Sequence, residues 1–478
     1  MKKQFLRSGA LLLVCLALIT GASAQWSSNP GQNLSVSNMP GADQTSPKLL
    51  ALPDNRWYVS WFNNSDPGNP SHGYDVYYQL LNASGYEQLS HDGVRVAQLG
   101  LQSTEDYGLA VDASGNAVLA FLDDRRSPDN PQVTVAKMSP SGQPLWGARG
   151  IAVTFDQGSH FVPKVTVTTD GSIVVAWATD TSVVLQKFTP AGVPVWVGAR
   201  YSKYGVALQE SGAYYVLSDL HAADNGAIIV SFVRFDSHHR NAHLYANKIS
   251  PSGQMMWGAG HVHVYDAAPL SSGEFPYFTY DGSGGAVFSW ETGFAPIVVY
   301  AQHILANGTE AFGHNGSLGT TDTSLSHVQP SVSYNSSTHE TFLFWTDTNA
   351  TQDRFGVTGQ KFNNSGVRQW SDTGLTVASF GGTDQLAFVK NVQIGSGALV
   401  FWSDLTAGGI QATKLDGTGA TLCSHFPVST SGAIPGSQTA GLSSSGLAAL
   451  TWQASTYPFG PSDIYIQNVN SDCTLGIE

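Results

Sequence analysis

Short apolar runs that close on an aromatic residue and then turn polar recur along the whole chain. They are AVLAFLDD (117–124), SIVVAWATD (172–180), AVFSWETG (286–293), TFLFWTDT (341–348), ALVFWSDL (398–405) and AALTWQAS (448–455). The aromatic falls at Trp61, Phe121, Trp177, Phe232, Trp290, Trp345, Trp402 and Trp452, eight copies spaced 50 to 60 residues apart. A second element keeps step with the first: NASG (82–85), SPSG (139–142), TPAG (189–192), SPSG (250–253), LANG (305–308), NNSG (363–366) and DGTG (416–419). Trp146, Trp196, Trp257 and Trp370 each follow that glycine by four residues. Self-similarity at such a period marks a repeat architecture.

One unit reads in full. In residues 161–200, FVPKVTV, SIVVAWA, VVLQKF and VPVWVGAR read as strands separated by TTDG, TDTS and TPAG. Asp-Gly and similar glycine turns between apolar runs are hairpin signals, so each unit is a four-stranded antiparallel meander. Its second strand is apolar on consecutive residues and therefore needs cover on both faces. Radial stacking of sheets supplies that cover, and the fold class predicted is an all-β, eight-bladed β-propeller. Seven blades result if the irregular fourth unit, YYVLSDLHAADNGAIIVSFVRF (214–235), is not a blade. The last unit has only CTLGIE left for an outer strand, while QWSSNPGQNLSVS (25–37) resembles the outer-strand stretches LWGARGIAVT and QWSDTGLTVAS. Residues 25–46 are therefore expected to close the ring on the last blade, which removes an exposed edge.

The repeat resembles that of a broad group of secreted bacterial β-propellers with a Trp-x-Asp turn, a Tyr-x-Gln strand and a glycine followed by tryptophan. The first appears as Trp177-Ala178-Thr179-Asp180, Trp345-Thr346-Asp347 and Trp402-Ser403-Asp404, the second as Tyr300-Ala301-Gln302 and Tyr465-Ile466-Gln467, the third as Gly142 with Trp146. The resemblance covers nearly the whole chain after residue 24. It implies the fold and leaves activity open, since function resides in sites and not in folds. Many of those proteins add a C-terminal sorting domain, which is not expected here.

Residues 1–24 have the layout of a secretory signal peptide: Lys2, Lys3 and Arg7, an apolar run from Ala10 to Ile19, and Ala22-Ser23-Ala24. A secreted, periplasmic or cell-surface location is expected for a single domain of residues 25–478, with no transmembrane segment, the apolar run being too short to span a bilayer. Charged residues are 12% of the chain and the net charge is -13, which excludes an electrostatic footprint for nucleic acid. After the leader, two cysteines remain, Cys423 and Cys473, which an oxidising compartment allows to pair.

Candidate chemistry sorts by strand order. In a meander the tight glycine turns gather at one end of the blade, and the longer second connections gather at the other. Binding residues favour loops on a rigid scaffold, so the loop-rich face is where a ligand is expected. The acids Asp123, Asp180, Asp347 and Asp404 open the second connections, where they fix turns or meet a polar ligand. Asp124, Arg125 and Arg126 join Asp123 in DDRR, an ion-pair cluster or a ligand contact. Gln79, Gln186, Asn247, Gln302, Gln360 and Gln467 share one position on the third strand and read as structural brackets, since buried amides are hydrogen-bonded.

The stretch GHVHVYDAAP (260–269) puts His261 and His263 on one side of an outer strand, and the connection of the same unit carries His238, His239 and His243. These five are the candidate ligands for a divalent metal such as zinc or copper, although nothing in the sequence requires one. Sialidase Asp-boxes, the adjacent cysteines of quinoprotein dehydrogenases and a Gly-x-Ser-x-Gly elbow are all missing from the sequence. The leading expectation is a non-enzymatic propeller that binds a polysaccharide or an extracellular protein. The alternatives are a glycan hydrolase or lyase with acids near the central channel, and a structural envelope or matrix component.

Overall fold

The computed structural model describes residues 25–64, 72–101, 104, 106–126, 130–200, 202–270, 275–293, 295–458 and 460–477. Residues 1–24, expected from the sequence to be a signal peptide, lie outside the described residues, as do parts of the second connections of blades 1 and 2. Eight four-stranded antiparallel sheets form a ring, one per repeat. The inner strands are Gln44–Ala51, Gly108–Val111, Phe161–Val167, Tyr214–Ala222, Phe278–Tyr280, Ser326–Asn335, Leu386–Ile394 and Ile434–Leu442. The fourth unit is a complete blade, Tyr214–Ala222, Ile228–Phe235, His243–Ile249 and Val262–Tyr265, so the count is eight. Closure runs through the N-terminal segment: Leu34–Ser37 is the outer strand of blade 8, pairing Leu34 with Ile466 and Ser35 with Tyr465.

The second strands sit in the middle of each blade with neighbouring blades against both faces. All seven residues of Trp57–Asn63 and of Ala117–Asp123 are buried, which accounts for their largely apolar sequence. Trp61, Trp177, Trp290, Trp345 and Trp452 are among the largest fully buried side chains. Burial of one such ring removes apolar area worth on the order of 4 kcal/mol.

The third-strand amides bracket each blade to the loop that follows. Gln186 Oε1 accepts the Lys187 and Trp196 N–H groups at 2.9 and 3.1 Å while its Nε2 donates to the Tyr204 carbonyl at 2.8 Å. Gln360 repeats this with Lys361, Trp370 and Ser371, and Gln302 with His303, Phe312 and Gly313. This bracket explains one departure from the sequence reading. VPVWVGAR is a crossing loop, and the outer strand of blade 3 is Val206–Leu208. Held by Gln186, Trp196 leaves its own sheet and donates its indole N–H to the Pro251 carbonyl of the next blade at 3.2 Å.

That contact recurs around the ring. Trp257 of blade 4 donates to the Ala306 carbonyl of blade 5 at 3.0 Å, and Trp26, beside the closing strand of blade 8, donates to the Ala83 carbonyl of blade 1 at 2.8 Å. The Trp26 and Trp257 indoles lie against the turn glycine of the next blade. A Cβ on Gly85 would come within 2.7 Å of the Trp26 ring, and one on Gly308 within 2.7 Å of Trp257, both at positive φ. The glycine and tryptophan of the repeat thus lock neighbouring blades together. Cys423, in the outer strand Thr421–Ser429 of blade 7, forms a disulfide with Cys473, after the third strand of blade 8.

Candidate binding site in the central channel

The inner strands of all eight blades wall a cavity of about 600 Å³ along the ring axis. The residue that faces its core-aromatic neighbour's predecessor on the second strand is the same repeat position in every blade. Lys48 lies opposite Ser60, Gly108 opposite Ala120, Lys164 opposite Ala176, Asp219 opposite Ser231, Ser331 opposite Phe344, Lys390 opposite Phe401 and Thr439 opposite Thr451. Tyr277 completes the ring, its carbonyl accepting the Ser289 N–H at 3.5 Å.

A backbone device aims these side chains. The register slips just before the ring position in blades 1, 3, 4, 6, 7 and 8. In five of these the slip contains a non-glycine residue at positive φ: Ser46, Val162, Gln329, Phe388 and Ser437. A β-bulge bends a strand and re-aims the side chain that follows, and such backbone persists only where its surroundings hold it. Here the neighbouring blade holds it. Gln453 Oε1 accepts the Ser46 N–H at 2.8 Å, Glu291 Oε2 that of Gln329 at 2.5 Å, and Gln329 Oε1 that of Phe388 at 2.7 Å.

Blade 2 departs from the rest. A Cβ on Gly108 would meet the Val165 backbone nitrogen at 2.4 Å, so only glycine lets the inner strands of blades 2 and 3 approach this closely. Into the space left open, Asp106 reaches between its two lysine neighbours. Its Oδ1 lies 2.5 Å from Lys48 Nζ and its Oδ2 pairs with Lys164 Nζ, while the Tyr277 hydroxyl stands 3.5 Å from Oδ2. Lys164 Nζ also lies 5.2 Å above the centre of the Tyr277 ring.

The charges resolve into pairs. Burial disfavours the Asp106 carboxylate, but Lys48 and Lys164 outweigh burial and hold the carboxyl well below its usual range. Burial likewise opposes the Lys164 ammonium, and Asp106 overrides it, keeping Lys164 firmly charged. Lys48, sharing a carboxylate that Lys164 already engages, is pulled below its ordinary value by burial. Asp219 is buried and its Oδ2 lies 2.9 Å from His221 Nε2, which lowers the carboxyl and raises the imidazole against the burial of both. Burial and then the Asp106 charge push Tyr277 up to about 12. Lys390 is lowered by burial alone, and its ammonium has no hydrogen bond or ion pair among the described residues.

Three of the loop acids are occupied by partners within the protein. Asp123 is buried, accepts two N–H groups of Arg125 at 2.7 and 2.9 Å and takes the Thr134 hydroxyl at 2.5 Å. Asp347 is bound by His327 at 2.6 Å and by the Trp345 indole at 2.7 Å, and Asp404 accepts the Thr406 and Ala407 N–H groups at 3.0 and 2.8 Å. Arg126 donates to the Phe155 carbonyl. Asp124 is raised by burial, and Asp180 is exposed.

The histidines spread out. His261 and His263 do share a side, standing edge-on to the stacked Phe232 and Tyr245 rings. His261 is buried with Nδ1 2.9 Å from Asn247 Nδ2, whereas His263 Nδ1 sits 2.9 Å from Asp266. His239 stacks on Tyr214 at 3.7 Å, His238 lies beside Ser237, and burial lowers His243. Among the described residues, no group of three or more His, Cys, Asp or Glu side chains is placed to hold a metal ion.

None of the channel residues was picked out from the sequence, although the repeat carries the signal. Six of the eight ring residues precede the core aromatic by thirteen positions, Ser331 by one more and Lys390 by one fewer. Aligning the repeats on the aromatic and reading back to the inner strand exposes the column Lys, Gly, Lys, Asp, Tyr, Ser, Lys, Thr.

No protein-family model matches the chain, and no curated protein matches its sequence. Among solved structures, the chain is similar to an unknown-function protein from Dyadobacter fermentans at 12% identity and a TM-score of 0.39, with 92% of this chain and 100% of that one covered. An endo-arabinase from Bacteroides thetaiotaomicron is 10% identical with a TM-score of 0.34 over 78% of this chain and 94% of that one. Prolyl oligopeptidase B from Galerina marginata is 12% identical with a TM-score of 0.41 over 92% of this chain, which spans 57% of that protein's chain. No residue role or activity passes to this chain through these likenesses. Among the described residues, no helix is long and apolar enough to cross a membrane.

Proposed function

We propose that this protein is a secreted binding propeller that takes a saccharide unit of a polysaccharide into the loop-rich mouth of its central channel and does not cleave it. The observation that carries the proposal is the cavity itself, about 600 Å³ and walled by side chains from all eight blades. That volume suits one small ligand or chain end, and a concave recess favours a glycan over a flat protein surface. Tyr277, 52% exposed, offers an aromatic face, with Ser331, Asn391 and Thr439 as hydrogen-bonding neighbours on the wall. Asp124 and Asp180 serve in this proposal as rim contacts. The Cys423–Cys473 disulfide supports export, since such bonds persist in oxidising compartments.

Binding without cleavage is favoured because a glycosidase acid must stay protonated near neutral pH, and Asp106 and Asp219 are both held below the ordinary carboxyl value. One observation favours a second reading: His221, raised by Asp219, and Tyr277, beside Lys164, are acid–base groups of the kind a glycan lyase uses. Immobilised polysaccharides probed with the purified protein, followed by reducing-end assays on every hit, test both. Retention without new reducing ends is expected. New reducing ends move the protein to the second reading, and no retention on any glycan defeats the first.

A further inference from the structure

We infer that the channel recognises an anionic group on its sugar ligand, a carboxylate or a sulfate ester, through the arc of blades 7, 8 and 1, with Lys390 as the principal contact. This inference rests on the channel being the saccharide site. It begins with the pairing of charges. Lys48 and Lys164 share the single Asp106 carboxylate, and Asp219 pairs with His221. Two cations are then left without a full counter-charge, Lys48 on blade 1 and Lys390 on blade 7, in a chain whose net charge is -13. A cationic recess inside an acidic protein draws anions to itself and turns them away from the rest of the surface.

The residues between those two lysines fit the same ligand. Gln438 of blade 8 lines the cavity, is 6% exposed and donates its Nε2 to the Ser403 hydroxyl, while its Oε1 has no partner. Gln438 forms part of the wall in blade 8, while the anionic group of the sugar lies on Lys390. Ser331 and Asn391 are bonded to each other at 2.7 Å on the blade 6 side, so the surroundings of Lys390 are neutral and polar. No carboxylate lowers the cost of keeping this ammonium in the wall, and it persists there without a structural partner.

Titration calorimetry of the purified protein with trigalacturonate, a sulfated galactose trimer and a neutral galactose trimer tests the inference, with Lys390→Met as the variant. One charge-assisted contact is worth about tenfold in affinity, so at least one anionic trimer is expected to bind about tenfold or more tightly than the neutral one, and to weaken with salt. Lys390→Met is expected to lose that preference, keep the neutral trimer and melt no lower than the parent. Whichever anionic trimer binds more tightly identifies carboxylate or sulfate as the group. Equal binding of all three trimers, or a preference that survives Lys390→Met, overturns the inference and leaves the glycan reading standing. Loss of the neutral trimer as well overturns the assigned role of Lys390. Absence of binding by every trimer overturns the glycan reading and the inference with it.

Discussion

Replacing Asp106 with asparagine removes the one charge that holds two channel lysines. Lys164, with 7% of its side chain exposed, then loses its counter-ion inside the ring. Breaking a buried ion pair by deleting one partner costs about 3–5 kcal/mol, and here the 27% exposure of Asp106 and 25% of Lys48 let water screen part of that, leaving about 2–4 kcal/mol. Unfolding entropy near 2.1 cal/mol/K per residue gives a propeller of about 450 residues roughly 0.9 kcal/mol per degree, so the melting temperature should fall by about 2–4 °C. Calorimetry across pH adds a sign. The Asp106 carboxyl lies below its ordinary 3.8 when folded, so its contribution is present above that value and lost as pH falls through the lower folded one. Lys164 lies above its ordinary 10.5 when folded, so its share is present below that value and lost as pH rises through the folded one. The gap between parent and Asp106→Asn should therefore stay level from about pH 5 to 8 and close on strong acidification. Adding Lys164→Met to Asp106→Asn should cost less than the two changes summed, since the second removes the charge that the first strands. Equal melting temperatures at pH 7, or a gap that widens in acid, would refute the account of the channel cluster.

Cys423→Ser releases a loop spanning 50 residues, which chain entropy values at about 4 kcal/mol, and a reductant should lower the melting temperature of the parent but not of the variant. Trp26→Ala deletes the indole that locks the closing segment onto blade 1. A loss of about 3–5 kcal/mol is expected, together with faster proteolysis at the N-terminal strand, where Ala in place of an exposed residue changes neither. His261 is lowered by burial, so the parent should lose stability as pH falls from 6.5 through the folded value. His261→Gln should flatten that part of the pH–stability curve, and zinc at neutral pH should leave the melting temperature of both unchanged.

The blades were legible because their pattern is dictated by packing. A largely apolar second strand with an aromatic near its end can only sit between two sheets, and Trp61, Trp177 and Trp345 do so. The third-strand amides were legible for the same reason, because a polar residue in a buried column needs a bonded role, and Gln186 and Gln360 have it. The glycine and tryptophan were visible as a spacing within one repeat, but their meeting is between repeats, which spacing alone does not convey. The channel was hidden for a different reason. Lys48, Lys164 and Lys390 are single residues of inner strands, and the bulges that turn such residues inward depend on contacts such as Gln453 with Ser46, more than 400 residues apart. The acids of the charge-rich loops are spent within the protein, Asp123 on Arg125 and Thr134, and Asp347 on His327, Trp345 and Thr358.

The bulges separate shape from content. In blades 1, 6 and 7 the bulge is fixed by its own backbone N–H bonding to a side chain of the adjacent blade, so the identity of the side chain it aims is free to change without disturbing the sheet behind it. Lysine, aspartate, tyrosine, serine and threonine already occupy the same position in different blades. Outside blade 2, where Gly108 leaves no room for a side chain, the ring therefore works as a row of sockets that can be refitted one at a time. A lineage, or an engineer, can rewrite what the channel recognises one blade at a time while the Trp-on-Gly locks keep the frame the same.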